Sequence, residues 1–218
     1  MDFDKARFNM VEQQIRPWEV LDPTVLGLLM TVRREDFVPT PYRQLAFADV
    51  EIPLSDKAVM LAPKIEAKML QDVGLKSTDR VLEIGTGSGY MAALLASLTQ
   101  EVTTVEIDRG LAEQARKNLE AAGIANVRVE LGDGLKGWPA KAPYDVVVVS
   151  GGVAAVPEAL FEQLKPNGRL IAIVGTAPLM RVELYTRDAE GAITSVTLFE
   201  TETPMLANAS RPAPAFAF

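Results

Sequence analysis

Residues 81–89, VLEIGTGSG, constrain the fold of this chain more than any other stretch. Val81, Leu82 and Ile84 have the apolar, partly β-branched character of a strand buried on both faces. The run YMAALLASL, which follows Gly89 directly, has the length and apolar spacing of a helix. Gly85, Gly87 and Gly89 therefore stand in a strand-to-helix turn. Glycine there lets the chain turn sharply and leaves the backbone open to a ligand at a helix N-terminus. The spacing is not that of the dinucleotide fingerprint G-x-G-x-x-G, because the third glycine arrives one residue early. The next strand-like run, EVTTVEID, places Glu106 about 20 residues beyond Gly85, where a carboxylate can reach the two hydroxyls of a ribose. A ligand containing adenosine is expected.

From Arg80 onward, strand-like and helical segments alternate over 80–84, 90–98, 101–106, 109–122, 127–130, 144–150, 157–164 and 168–174. Such alternation predicts a parallel sheet with helices on both faces. RVELYTR and AITSVTLFE, on either side of DAEG, predict a hairpin that joins the sheet antiparallel. Phe8, Met10, Val11 and Ile15 predict an N-terminal helix ending at Arg16-Pro17, and Asp22-Pro23 reads as the N-cap and first residue of a second helix. Residues 36–55 have no sustained period and predict an irregular surface segment. A helix over 63–73 follows, closed by Gly74. The chain thus divides into an N-terminal helical cap and substrate-side segment (1–75) and a ligand-binding α/β core (76–218), together one compact unit. The final RPAPAFAF is expected to be extended, with Phe216 and Phe218 either docked on the body or frayed.

The chain has no cysteine and no histidine. That excludes disulfides, thiolate nucleophiles, zinc sites of the Cys/His kind and any triad that needs imidazole, and no metal site is expected. A net charge of −7 argues against a nucleic-acid partner, since affinity for phosphate backbones comes from basic residues. No apolar run is long enough for a membrane span and the N-terminal MDFDKARF is too polar for a secretory signal, so a cytoplasmic location is expected. Trp138 and Tyr144 are read as packing near the sheet edge rather than as a base-stacking platform.

VLEIGTGSGY, TVEID, ELGDGLKGW, APYD and QLKPNGRL, with MVEQQI and REDFVP before them, together resemble the protein-L-isoaspartate O-methyltransferase family over about 10–175. The resemblance implies a single Rossmann-like class I methyltransferase domain with a mainly parallel seven-stranded sheet. It also implies S-adenosyl-L-methionine as cofactor, S-adenosyl-L-homocysteine as product, and methylation of a carboxylate on damaged proteins. The partner would be a protein or peptide, or a small carboxylate. Four segments would meet at the cofactor: Glu83 to Gly89 with Thr86, Glu106 with Ile107, Gly132-Asp133-Gly134, and Ser150 with the glycines after it. By resemblance, Gly85, Gly87 and Gly89 hold the methionine part, Glu106 the ribose and Asp133 the exocyclic amine of adenine. On spacing alone Asp133 is equally a turn former in Gly-Asp-Gly, and Glu83 is equally a residue behind the site or an anchor for the helix N-terminus.

The chain departs from the family just before Pro63. Where the family carries a Gly-Gln-Thr-Ile-Ser run whose Thr and Ser hydroxyls line the acceptor site, this chain reads Lys57-Ala58-Val59-Met60-Leu61. Val59 keeps the shape of threonine without its hydrogen bond, and Leu61 is larger and apolar. Lys64, in the first turn of a helix with no capping side chain, is expected either to make an anion site with the free amides there or to be solvated. The alternative functions are methylation of a small hydrophobic acceptor and a non-catalytic S-adenosylmethionine-binding role. Oligomeric state and the order of the last two strands are not legible in the chain.

Overall fold

The computed structural model describes residues 1–209, so the expected placement of Phe216 and Phe218 lies outside the described residues. Two aspartates start the N-terminal helices. Asp2 accepts the Lys5 amide at 3.1 Å and opens α1 (Phe3–Met10), which runs on through a π-helical turn (Val11–Ile15) and a 3₁₀ turn (Arg16–Trp18). Asp22 accepts the amides of Thr24 and Val25 at 2.7 and 3.4 Å and opens α2 (Pro23–Thr31), with Pro23 where no amide is needed. Residues 36–55 are mostly irregular, as expected, but they end in a short hairpin. Its strands, β1 (Ile52–Pro53) and β2 (Val59–Met60), pair antiparallel. Pro53 cannot donate to a ladder, which suits a two-residue strand of this kind. Next comes α3 (Pro63–Asp72), whose end is followed by Gly74 at φ +62°.

The N-terminal segments are held to the body by a buried arginine. Arg34 donates through Nε to the Ala46 carbonyl at 2.9 Å and through Nη2 to the Leu61 carbonyl at 2.6 Å, and it pairs with the carboxylate of Glu66 on α3. Its guanidinium lies 4.9 Å from the centroid of the Tyr90 ring. The planar fork of arginine can serve all these directions together, which a lysine could not. Burial pushes the Glu66 carboxyl up to about 7, against the opposing pull of Arg34.

The remaining chain alternates as the sequence predicts: β3 (Arg80–Ile84), α4 (Tyr90–Leu98), β4 (Glu101–Glu106), α5 (Arg109–Ala121), β5 (Val127–Leu131), β6 (Tyr144–Val153), α6 (Glu158–Glu162), β7 (Leu164–Thr176), β8 (Leu179–Arg187) and β9 (Ile193–Thr201). The seven-stranded sheet has the order β5-β4-β3-β6-β7-β8-β9. The first five strands are parallel, and β8 runs antiparallel to both its neighbours. The alternate residues Val81, Val146 and Val148 join one apolar cluster with α3 and α4, while Leu82, Val147 and Val149 join a second with α6. Both faces are covered, which is why these strands read as continuous apolar runs. The first cluster also contains Met10, Val25 and Leu29, so the N-terminal helices share a core with the sheet. Tyr144 is buried and donates to the Trp138 carbonyl at 2.7 Å, in keeping with a packing role for this pair.

Candidate active site

After β3 the chain moves outward to β4 and β5, then returns to β6 on the other side of β3. Ligands bind at such a reversal, beyond the carboxyl ends of the strands. A cleft opens there. Gly85, Gly87, Ser150 and Gly151 line it from the turns after β3 and within β6, and Glu106, Ile107 and Asp108 line it from the end of β4. Gly132, Asp133 and Gly134 close it on the β5 side, and Val59 and Leu61 from the β1–β2 hairpin and its exit form the facing wall.

The glycine turn is formed by close packing as well as by backbone conformation. Gly87 has φ +53°, and a Cβ there would lie 3.0 Å from Cδ1 of Leu54 on the hairpin. Its amide donates to Glu106 Oε2 at 2.9 Å, while Glu106 Oε1 accepts the Asp108 amide at 3.0 Å. Each carboxylate oxygen has a further lone pair, so the buried Glu106 is fixed by the backbone and can still accept two hydroxyls. Asp133 Oδ1 accepts the Leu135 amide at 3.3 Å, and Oδ2 lies 3.3 Å from Lys136 Nζ. Among the described residues, three carboxylates, Glu106, Asp108 and Asp133, face a cleft with one lysine, Lys57. Such a set of anionic acceptors fits an adenosine that also carries a cationic sulfonium.

A family model described as protein-L-isoaspartate (D-aspartate) O-methyltransferase matches residues 5–203. The chain belongs to this family. Among its methyltransferase relatives, the protein-L-isoaspartate O-methyltransferase of Trichlorobacter lovleyi is 40% identical over 197 residues, covering 90% of this chain and 91% of that protein. The enzyme of that name from Gloeobacter violaceus is 42% identical, covering 86% of this chain and 92% of its own. A solved protein-L-isoaspartate O-methyltransferase superposes with a TM-score of 0.80 at 28% identity, over 93% of this chain and 66% of that one. A further solved structure, from Plasmodium falciparum and in complex with S-adenosyl-L-homocysteine, shares the fold with a TM-score of 0.77 at 18% identity, over 95% and 99% of the two chains.

Of the site residues expected for a methyltransferase of this family, Glu83, Thr86 and Gly89 stand behind the cleft wall rather than on it. Glu83 is fully buried; Thr104 Oγ1 donates to its Oε2 at 2.6 Å and Ser150 Oγ to its Oε1 at 2.8 Å. Thr86 Oγ1 lies 2.6 Å from Thr104 Oγ1 and extends the chain of hydroxyls. The cause is strand parity, since Glu83 and Thr104 are cross-strand partners on one face of the sheet. Gly89 is the N-cap of α4 with φ +86°, a left-handed conformation that favours glycine, and it packs against Ala115 and Leu119 on α5. Burial pushes the Glu83 carboxyl up to about 8, although both hydroxyl donors pull it down. Its folded value lies above its unfolded one, so the stability it contributes is complete below about pH 4.5 and is lost as pH rises toward 8. The expected slope is at most about 1.4 kcal/mol per pH unit for this group. Denaturant midpoints across that window should fall more steeply for the parent than for Glu83→Gln. Identical slopes would show that Glu83 is ionised.

Lys64 does not reach the cleft. Its ammonium pairs with Asp49 at 2.6 Å and lies 4.2 Å from the centroid of the Trp18 ring, in a separate groove that also holds Glu51 and Glu202. The Ile65 amide, expected to be free, donates to the Ala62 carbonyl at 3.0 Å. The expected anion site at the start of α3 is therefore corrected: its cation and one of its amides are already engaged.

Sequence reasoning missed the strap at 203–207, which runs beside the end of β6 and lines the cleft. Gly152 donates its amide to the Pro204 carbonyl at 3.0 Å and accepts the Leu206 amide at 2.8 Å. Leu206 Cδ2 lies 3.0 Å from where a Gly85 Cβ would be. The apolar Pro-Met-Leu run after β9 was the available signal.

Proposed function

We propose that this cleft carries out the reaction of its family, transfer of the methyl group of S-adenosyl-L-methionine to the side-chain carboxylate of an isoaspartyl residue in a protein or peptide. The observation that carries the reading is the convergence of the glycine turn, Glu106 and Asp133 on one cleft at the switch point of the sheet. The cofactor supplies a methyl group on a sulfonium whose leaving group is a neutral thioether, S-adenosyl-L-homocysteine. Residues 85–87 hold its methionine part, Glu106 accepts the ribose hydroxyls, and Asp133 accepts the adenine amine. Ile107, exposed at the cleft wall, offers apolar surface to the base.

An acceptor carboxylate is ionised near neutral pH, so it needs no general base. A chain without histidine is equipped for this reaction. Its task is to align a carboxylate oxygen behind the methyl carbon and to exclude water, and the apolar Val59 and Leu61 supply the dry wall. Among the described residues no helix is long and apolar enough to cross a membrane, and the acidic net charge fits a cytoplasmic protein that acts on polypeptides rather than nucleic acid.

The test is a labelled methyl-transfer assay with an isoaspartyl peptide and its aspartyl twin, scoring base-labile ester. Label is expected on the isoaspartyl peptide alone. Absence of ester from both, in a preparation that binds the cofactor tightly, would end this reading. It would leave a small hydrophobic acceptor at Val59 and Leu61, or a binding role without catalysis.

A further inference from the structure

Methyl transfer to a carboxylate needs a donor group that holds the anion in place, and neither Val59 nor Leu61 has one on its side chain. Among the described residues the cleft is lined by three hydroxyls, on Ser55, Ser150 and Thr203. Two are committed: Ser150 donates to Glu83 at 2.8 Å and Thr203 donates to Glu51 at 2.6 Å. Ser55 is different. Its Oγ accepts the amides of Lys57 and Ala58 at 3.2 and 3.1 Å, and its own O–H has no acceptor among the described residues. Lys57 is the only cation among the described residues that line the cleft. Lys64 is held by Asp49, whereas no ion pair holds Lys57 among the described residues. Ser55 and Lys57 are both exposed, as a subsite for a polypeptide must be. The turn that joins β1 to β2 fixes them side by side, with the Leu54 and Ser55 amides donating to the Ala58 carbonyl at 2.8 and 3.1 Å.

We propose that Ser55 and Lys57 form the anion subsite that seats the acceptor carboxylate, in the place of the hydroxyls missing at Val59 and Leu61. This rests on the carboxylate-methylating reading above. The Ser55 O–H and the Lys57 ammonium donate to the carboxylate and leave a lone pair of its oxygen directed at the methyl carbon. That oxygen forms the new C–O bond as the methyl–sulfur bond breaks, the electron pair remaining on sulfur, and no proton moves. The ester formed is neutral. It loses the charge that Lys57 held, so the subsite binds substrate more tightly than product.

The test measures ester formation and, separately, calorimetric binding of the isoaspartyl peptide in the presence of S-adenosyl-L-homocysteine, for the parent, Ser55→Ala, Lys57→Met, Lys57→Arg and the control Lys64→Met. Lys57→Met is expected to weaken peptide binding and raise KM about tenfold or more, and Ser55→Ala about fivefold, with cofactor affinity unchanged. Lys57→Arg should recover most of the binding, and Lys64→Met should match the parent. If both subsite variants bind and turn over the peptide like the parent, the subsite is overturned while the reaction stands. If the parent neither binds nor methylates the peptide while binding the cofactor, the reaction and the subsite fall together.

Discussion

Replacing Glu106 with alanine is expected to weaken binding of S-adenosyl-L-methionine and of S-adenosyl-L-homocysteine about 100-fold or more, with the overall fold retained. In the proposed site Glu106 makes two charge-assisted hydrogen bonds to ribose hydroxyls, each worth roughly 1.5–3 kcal/mol, so losing both exceeds about 3 kcal/mol. The same substitution removes the acceptor for the Gly87 and Asp108 amides, which loosens the turn that faces the methionine part. Both ligands should suffer alike, because the ribose is the same in each. Isothermal titration of the two ligands against Glu106→Ala and Glu106→Gln measures the effect. Affinities within about threefold of the parent would remove Glu106 from the cofactor site.

Replacing Arg34 with methionine is expected to destabilise the protein by about 3–5 kcal/mol, because Glu66 is left as a buried carboxylate without its counter-charge. The Ala46 and Leu61 carbonyls lose their donor in the same step. For a chain of this length the melting temperature should fall by about 10 °C. The deficit should widen as pH rises through the parent's Glu66 value of about 7, since there the parent's carboxyl ionises against Arg34, while in the variant burial without that counter-charge keeps it protonated. The double variant Arg34→Met with Glu66→Met should recover more than half of the loss. Urea denaturation at pH 6 and pH 8 checks both statements. A loss under about 1 kcal/mol would mean that water reaches the pair and screens it. Because Arg34 holds the Leu61 carbonyl, methyl transfer should also decline in the single variant at temperatures where it remains folded.

Several features of this chain were legible residue by residue. The strand, glycine turn and helix at 81–98 follow from apolar spacing and from the needs of a sharp turn. The caps at Asp22 and Asp108 follow from a side-chain oxygen placed before a helix, and the structure shows Asp108 accepting the Leu111 amide at 2.9 Å. Glu106 was legible because the distance from a glycine turn to the end of the next strand is set by the length of one helix and one loop. Lys64 was misplaced for the opposite reason. Its position in the first turn of α3 was correct, but nothing local to it says which side of the strap at 203–205 it faces, or that Asp49 waits there. Glu83 was ambiguous in the same way, since its surroundings depend on the register of β3 with β4.

Local chemistry and short-range spacing thus specified the strands, the helices, the parallel order of the central sheet and the acidic residues at its carboxyl edge, because each depends on neighbours within about one βα unit. The departure at Val59 and Leu61 was equally visible in the chain, since it is a matter of which side chains carry a hydroxyl. Contacts across more than 20 residues decided the rest. Arg34 meets Glu66 on α3, Leu206 covers Gly85, and the hairpin turn brings Ser55 and Lys57 to a cleft built by four other segments. Each of these approaches, Arg34 to Glu66, Leu206 to Gly85 and the hairpin turn to the cleft, is made by the folding of the whole chain, and so has no signature in the sequence around either partner.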